Sequence, residues 1–316
     1  MKKQLTLLSV AILSIGLIFT SCKKESTTST TDPTDDATQL QVQTDDQNRF
    51  SSESDAADDD ANVALETFGG SYVGARPLTP LPLRCDADVT VDTTVNPRTI
   101  TITYSGATCG GANRTRTGSI VLSFAPGFRW SAAGSHYDIT YNNLKITRLS
   151  DNKSITINGT KTITNVTGGK LVNLASLGTI THTVTSSSMS VTFDNGSQRT
   201  WQVARQRTFT YNNGSVITIT GIAPASVGNG VAEWGINRFG RAFQSAITQP
   251  LVLKQDCDFR LVSGQVQHTG YFVTTTTTFG LDAQGNAVST CPTGAYYLKI
   301  VWTGANGQSH TYIGPY

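Results

Sequence analysis

From about Cys85 to the C-terminus the chain alternates β-branched or aromatic residues with threonine, serine or asparagine at period two. A segment patterned this way can only be a strand with one apolar and one wettable face. Ile155, Ile157 and Ile163, and then Met189, Val191 and Phe193, carry the pattern most clearly, and helical periodicity is nearly absent from this part of the chain. Asn195-Gly196, Asn213-Gly214 and Asn306-Gly307 lie between such runs; Asn-Gly supplies the positive φ angles that a tight hairpin demands. Asn142-Asn143 and Asp151-Asn152 are weaker turn signals. Hairpins adjacent in sequence place strands adjacent in space, so a meander is the economical topology. Strands are expected over 138–149, 153–166, 179–193 and 199–211. At about 3.3 Å per residue these reach roughly 40–50 Å, so the sheet must twist and fold over, with its apolar face covered by a second layer or closed into a barrel. The fold class is therefore mainly β: a long-stranded antiparallel meander, sandwich-like or folded over, with one short N-terminal helix. A lipid-facing barrel fits less well, because a face of Thr, Asn and Ser supplies no apolar outer band.

Cys85, Cys109, Cys257 and Cys291 allow three pairings. Asn96-Pro97 lies halfway between the first two, so a hairpin turning there brings Cys85 to Cys109, and the same local logic joins Cys257 to Cys291. Spacings this wide do not form paired zinc knuckles.

Charge divides the chain. Residues 25–66 hold twelve acids and one base, a net of −11, while 67–316 hold nineteen bases and ten acids, a net of +9. Ser26 to Asn48 has hardly any large apolar residue and reads as a disordered tether. Beyond it, Ala56, Ala57, Ala61, Ala64 and Leu65 among acids tolerate a short helix over 49–67. Asp55, Asp58, Asp59 and Asp60 fit no calcium-loop spacing and read as a solvated helix face. The bases of the body are spread along the chain, not striped, which argues against nucleic acid. An anionic envelope polymer, or the chain's own acidic arm folding back, accounts for them better.

The extreme N-terminus carries Lys2 and Lys3, an apolar run from Leu5 to Phe19, and Thr20-Ser21-Cys22. About fifteen apolar residues are too few to span a bilayer. The segment resembles a lipoprotein signal, and Phe19 with Ser-Cys-Lys-Lys resembles the looser signals of the Bacteroidota. That resemblance implies cleavage before Cys22, acylation of its sulfur and amine, and residence at the outer membrane on the cell-surface or periplasmic side. The resulting division is 1–21 signal, 22–48 lipidated cysteine and acidic tether, 49–67 helix and 68–316 β body.

Catalytic patterns are missing from the sequence. His136, His182, His268 and His310 begin no zinc motif, there is no Gly-x-Ser-x-Gly elbow, and Gly168-Gly169-Lys170 runs into Leu171 where a phosphate loop needs Ser or Thr. A glycosidase would need a second acid beside Glu233, and nothing nominates one. No catalytic residue, metal or cofactor is expected. The single constellation with binding chemistry is aromatic and arginine. Trp201, Val203, Arg205, Arg207, Phe209 and Tyr211 share a strand face by parity, and Glu233-Trp234 with Arg238 repeats the mixture further on. Trp201, Arg205, Arg207, Trp234 and Arg238 are the candidate ligand residues, for glycans or anionic polymers. In a structural alternative, Arg205 or Arg207 pairs with Glu233 inside the core. The sequence thus points to a lipid-anchored, non-enzymatic binding or scaffolding protein of the envelope. A glycan-processing enzyme and a purely structural coat or adhesin-like module are the other readings.

Overall fold

A computed structural model of the chain describes residues 33–68, 85–109, 113–257, 259–270, 273–291, 294–303 and 307–316. The apolar start and Cys22 lie outside them, as does Asn306 of the third Asn-Gly pair.

The body is one antiparallel sheet: β1 (Ala87–Asp92), β2 (Arg98–Ser105), β3 (Arg114–Phe124), β4 (Ser135–Arg148), β5 (Ser154–Asn165), β6 (Thr179–Phe193), β7 (Gln198–Tyr211), β8 (Ser215–Gly221), β9 (Val231–Ile236), β10 (Ala242–Lys254), β11 (Arg260–Thr269), β12 (Thr274–Leu281), β13 (Tyr297–Thr303) and β14 (Ser309–Pro315). Neighbours in sequence are neighbours in the sheet throughout, with β8 and β9 sharing one slot between β7 and β10. β8 lies beside the C-terminal half of β7 and β9 beside its N-terminal half, so the two are one strand interrupted by the excursion 222–230. The fold is the expected long-stranded meander, and β6 spans the predicted residues Thr179–Phe193. Among the described residues β1 pairs only with β2 and β14 only with β13, so no barrel closes by direct strand pairing.

The second layer is a helix rather than another sheet. α1 (Pro33–Phe68) has 36 residues, roughly 54 Å at 1.5 Å per residue, and begins sixteen positions before the expected short helix. Its sheet-facing stripe is Gln43, Gln47, Phe50, Ser54, Ala57, Ala61 and Ala64, spaced three and four apart. The N-terminal half of that stripe is polar, which is why apolar periodicity does not reveal it. Small alanines let the helix lie close to the sheet. Phe50, Ala57, Ala61, Ala64 and Leu65 join a single core with the inward residues of β2 to β7 and Phe243 of β10.

The sheet curls to reach around α1. Near one level of the helix, Glu53 pairs with Arg114 on β3 at 2.9 Å while Ser51 donates to Glu233 on β9 at 3.2 Å. Five strand spacings, about 24 Å along a flat sheet, separate those two strands. Register shifts produce the bend: they interrupt β3–β4, β4–β5, β5–β6 and β6–β7 near mid-strand. Gly118 at φ +91° and Asn143 at φ +49° sit there, and a Cβ on Gly118 would lie 2.2 Å from the Asn143 carbonyl oxygen. Asn142-Asn143 is therefore a bulge inside β4, not a turn, using the same left-handed backbone that makes asparagine a turn residue. Asn195-Gly196 also differs from a two-residue turn. Only Gly196 has positive φ, and its N–H bonds the Phe193 carbonyl, giving a longer loop whose bulge the glycine carries.

Both disulfides follow the predicted pairing, Cys85–Cys109 with Cα atoms 5.6 Å apart and Cys257–Cys291 at 5.3 Å. The first closes the β1–β2 hairpin around the cis Asn96-Pro97 peptide. The bridges enclose separations of 24 and 34 residues, so loop-closure entropy gives each about 3–4 kcal/mol. Replacing Cys85 and Cys109 together by serine is expected to lower unfolding free energy by about 3 kcal/mol in urea titration.

Candidate functional site

Five bases occupy inward, core-parity positions of three strands: Arg116 on β3, Lys161 on β5, and Arg199, Arg205 and Arg207 on β7, each at most 8% exposed. A cation with no partner cannot stay ionised at such depth. Most of the partners come from α1, with Asp86 before β1 and Glu233 on β9 adding to them. Asp60 receives Arg116 at 2.6 Å, with Asp86 at 2.8 Å on the other side of the guanidinium. Asp58 receives Lys161 at 3.0 Å and the Tyr141 hydroxyl at 2.8 Å. Asp55 holds Arg207 at 2.6 Å and Arg205 at 3.1 Å, and Asp46 receives Arg238 Nε at 2.6 Å. The acidic arm folds back on the basic body. Asp58 and Asp60, which read from sequence as a solvated face, are buried ion-pair partners.

These contacts set the ionisation of the site. Burial pushes the Asp55 carboxyl up, and the Arg207 and Arg205 guanidiniums more than reverse it, leaving it below the ordinary carboxylate range. Burial pulls Lys161 down, with Asp58 and Asp55 opposing. Burial also draws Arg199 down to about 10, although Glu233 lies 3.8 Å away. Two histidines are held neutral. His182 packs against Trp130 and Phe209, and His268 bonds Ser245 Oγ at 2.8 Å and the Gln43 amide; burial, aided by Arg207 and Arg199 respectively, lowers each to about 3.

Four of the five candidate ligand residues lie on this inner face. Trp201 is buried edge-on against Phe50. Arg205 divides its guanidinium between Asp55 and Glu233. Arg207 reaches Asp55, Asp58 and Asp59, and Arg238 lies over the Phe193 ring at 3.7 Å while pairing with Asp46. The structural alternative, Arg205 with Glu233, is the arrangement found. Glu233 is 1% exposed, and Arg205, Ser51 and Gln47 bond its two oxygens. Arg116, Lys161 and Arg199 escaped the sequence reading although their parity was visible: each falls in step with the isoleucine or tryptophan positions of its strand. Among the described residues, the one group of His, Cys, Asp or Glu whose ligand atoms lie close enough together to hold a metal ion, Asp256 with Cys257 and Cys291, has both sulfurs tied in a disulfide.

Trp234 stands apart. It follows inward-facing Glu233 and so points away from α1; its register partners are Gln202 on β7 and Gln244 on β10. These three residues, with Ser190, Thr200 and Ile236, line an open groove of about 830 Å³.

Comparison with known protein families, curated proteins and solved structures finds no match to the chain. The reading of the site therefore rests on its own chemistry.

Proposed function

We propose that the protein is an envelope component anchored through acylated Cys22 at the outer membrane, with a binding role and no chemistry of its own. The observation that carries the binding part is the division of labour between the two sheet faces. On the inner face, the cations that a polyanion or an acidic substrate would seek are already neutralised by α1. A sugar could reach Glu233 only by displacing the helix. The open groove beside Trp234 lies on the other face. The residues of the lipoprotein-like start support the anchor. Because α1 begins at Pro33, at most about 40 Å of chain joins Cys22 to the folded part, which keeps the body near the membrane surface.

Mass spectrometry of the mature protein is expected to find a diacylglyceryl thioether on Cys22, and Cys22→Ala is expected to move the protein from the membrane to the soluble fraction. Protease treatment of intact cells then reads which side the body faces. An unacylated mature terminus beginning at another residue removes the anchor.

A further inference from the structure

We infer that the groove around Trp234 binds a neutral oligosaccharide, with pyranose rings stacked on the indole and hydroxyls taken by the flanking amides and hydroxyls. This deepens the binding role proposed above and rests on it.

The register carries the geometry. Residues facing each other across an antiparallel pair project from the same side. Trp234 faces Gln202 in one direction and Gln244 in the other, and Gln244 faces Thr269 on β11. A second row runs parallel to the first, from Ser190 through Thr200 and Ile236 to Ala242. The outer face thus presents one large flat aromatic with a primary amide on each side and a hydroxyl-bearing row beside it. Gln244 is already oriented: its Nε2 donates to the Val227 carbonyl at 3.2 Å, so its oxygen is the atom left to accept from a ligand hydroxyl.

Charge selects the ligand class. None of the fifteen described lining residues is Asp, Glu, Lys, Arg or His, in a chain with nineteen bases and ten acids over 67–316. A sulfated or uronate polymer would lose its hydration shell here and gain no counter-charge. A neutral sugar matches the lining: its C–H faces meet the negative face of the indole, and its hydroxyls pair with groups that both donate and accept. Groove volume lies within the usual range for ligand sites, about 300–1,000 Å³. The site is also pre-formed. Gly235 lets β9 close on β7, since a Cβ there would lie 2.1 Å from the Thr200 carbonyl oxygen. That close approach sets the spacing of the β9 and β7 backbones beside Trp234.

The test uses the full lipidated chain in detergent micelles against linear glucose, mannose and galactose oligosaccharides of four to six units, with heparin as the charged comparator. At least one neutral oligosaccharide is expected to bind. Affinity is expected to fall tenfold or more in Trp234→Ala and less in Trp234→Phe, to weaken in Gln202→Ala, and to stay insensitive to salt. Thermal melting of each variant reports whether the fold is kept, and Gln202→Ala, on an exposed face, serves if Trp234→Ala melts early. Failure of the whole neutral panel overturns the inference, as does binding that both variants leave unchanged or binding confined to heparin. A different ligand that still depends on Trp234 removes the sugar while leaving the binding role intact. Mass spectrometry of Cys22 tests the anchor separately.

Discussion

Asp58→Ala is expected to destabilise the protein by about 3–5 kcal/mol, the usual cost of leaving a buried charge without its partner. Asp58 is 2% exposed. Its carboxylate meets Lys161 at 3.0 Å, the Tyr141 hydroxyl at 2.8 Å and Arg207 at 3.5 Å, so one truncation takes from Lys161 its only ion-pair partner among the described residues and from Tyr141 an acceptor, while Arg207 keeps Asp55 and Asp59. Lys161→Met alone is expected to cost less, because Asp58 keeps Tyr141 and Arg207 while the methionine fills the stem's space. The double variant should be markedly more stable than the sum of the two losses predicts, since the ammonium that needed Asp58 is gone. Urea titration of all four proteins supplies the cycle, provided the m-value stays constant. Additive losses would mean that Asp58 and Lys161 do not couple.

The contrast between body and helix explains what the sequence discloses. Strand positions such as Ile155, Ile157, Met189 and Val191 alternate strictly, and the sheet buries them as that alternation demands. The disulfide pairs are local to single hairpins, so they are legible too. The length of α1 is not, because its N-terminal half contacts the sheet through Gln43, Asp46 and Gln47 instead of aliphatic residues. A segment poor in apolar residues reads as disordered by composition alone; here its ordering is supplied by fixed cations on another part of the chain. The charge split, −11 against +9, signals that relation, and the parity of Arg116, Lys161 and Arg207 says where the cations point. Neither states which acid meets which base. Trp234 is legible as an unusual residue, but its separation from Trp201 and the arginines depends on β9 registering one residue out of phase with them, a fact only the fold supplies. Its groove is likewise made by strands far apart in sequence, β6, β7, β9, β10 and β11.

Falling pH is expected to destabilise the protein through two buried histidines. His182 and His268 are held down to about 3 in the folded state, against an ordinary value of 6.5. Between those values the unfolded chain binds a proton on each ring and the folded chain does not, so stability falls as pH drops through the window and is unaffected by these groups above about 7. Each ring contributes a slope of about 1.4 kcal/mol per pH unit, or about 3 kcal/mol lost by pH 4.5. The two rings are buried by different means. His182 sits between Trp130 and Phe209 with Asp58, Asp59 and Arg207 lining the same small cavity, whereas His268 is capped by Gln43 of α1 with Ser245 and Arg199 near it. His268→Gln keeps a polar partner for Ser245 and Gln43 and removes the titration. Its stability difference from the parent protein, measured by urea titration at pH 7, 6, 5 and 4.5, should therefore shift in favour of the variant by about 1.4 kcal/mol per unit below pH 6. A difference constant across that range would mean that the ring takes up its proton in the folded protein, which requires the end of α1 around Gln43 to lift from the sheet. Acid stability thus reports directly on whether the polar half of the helix stays seated.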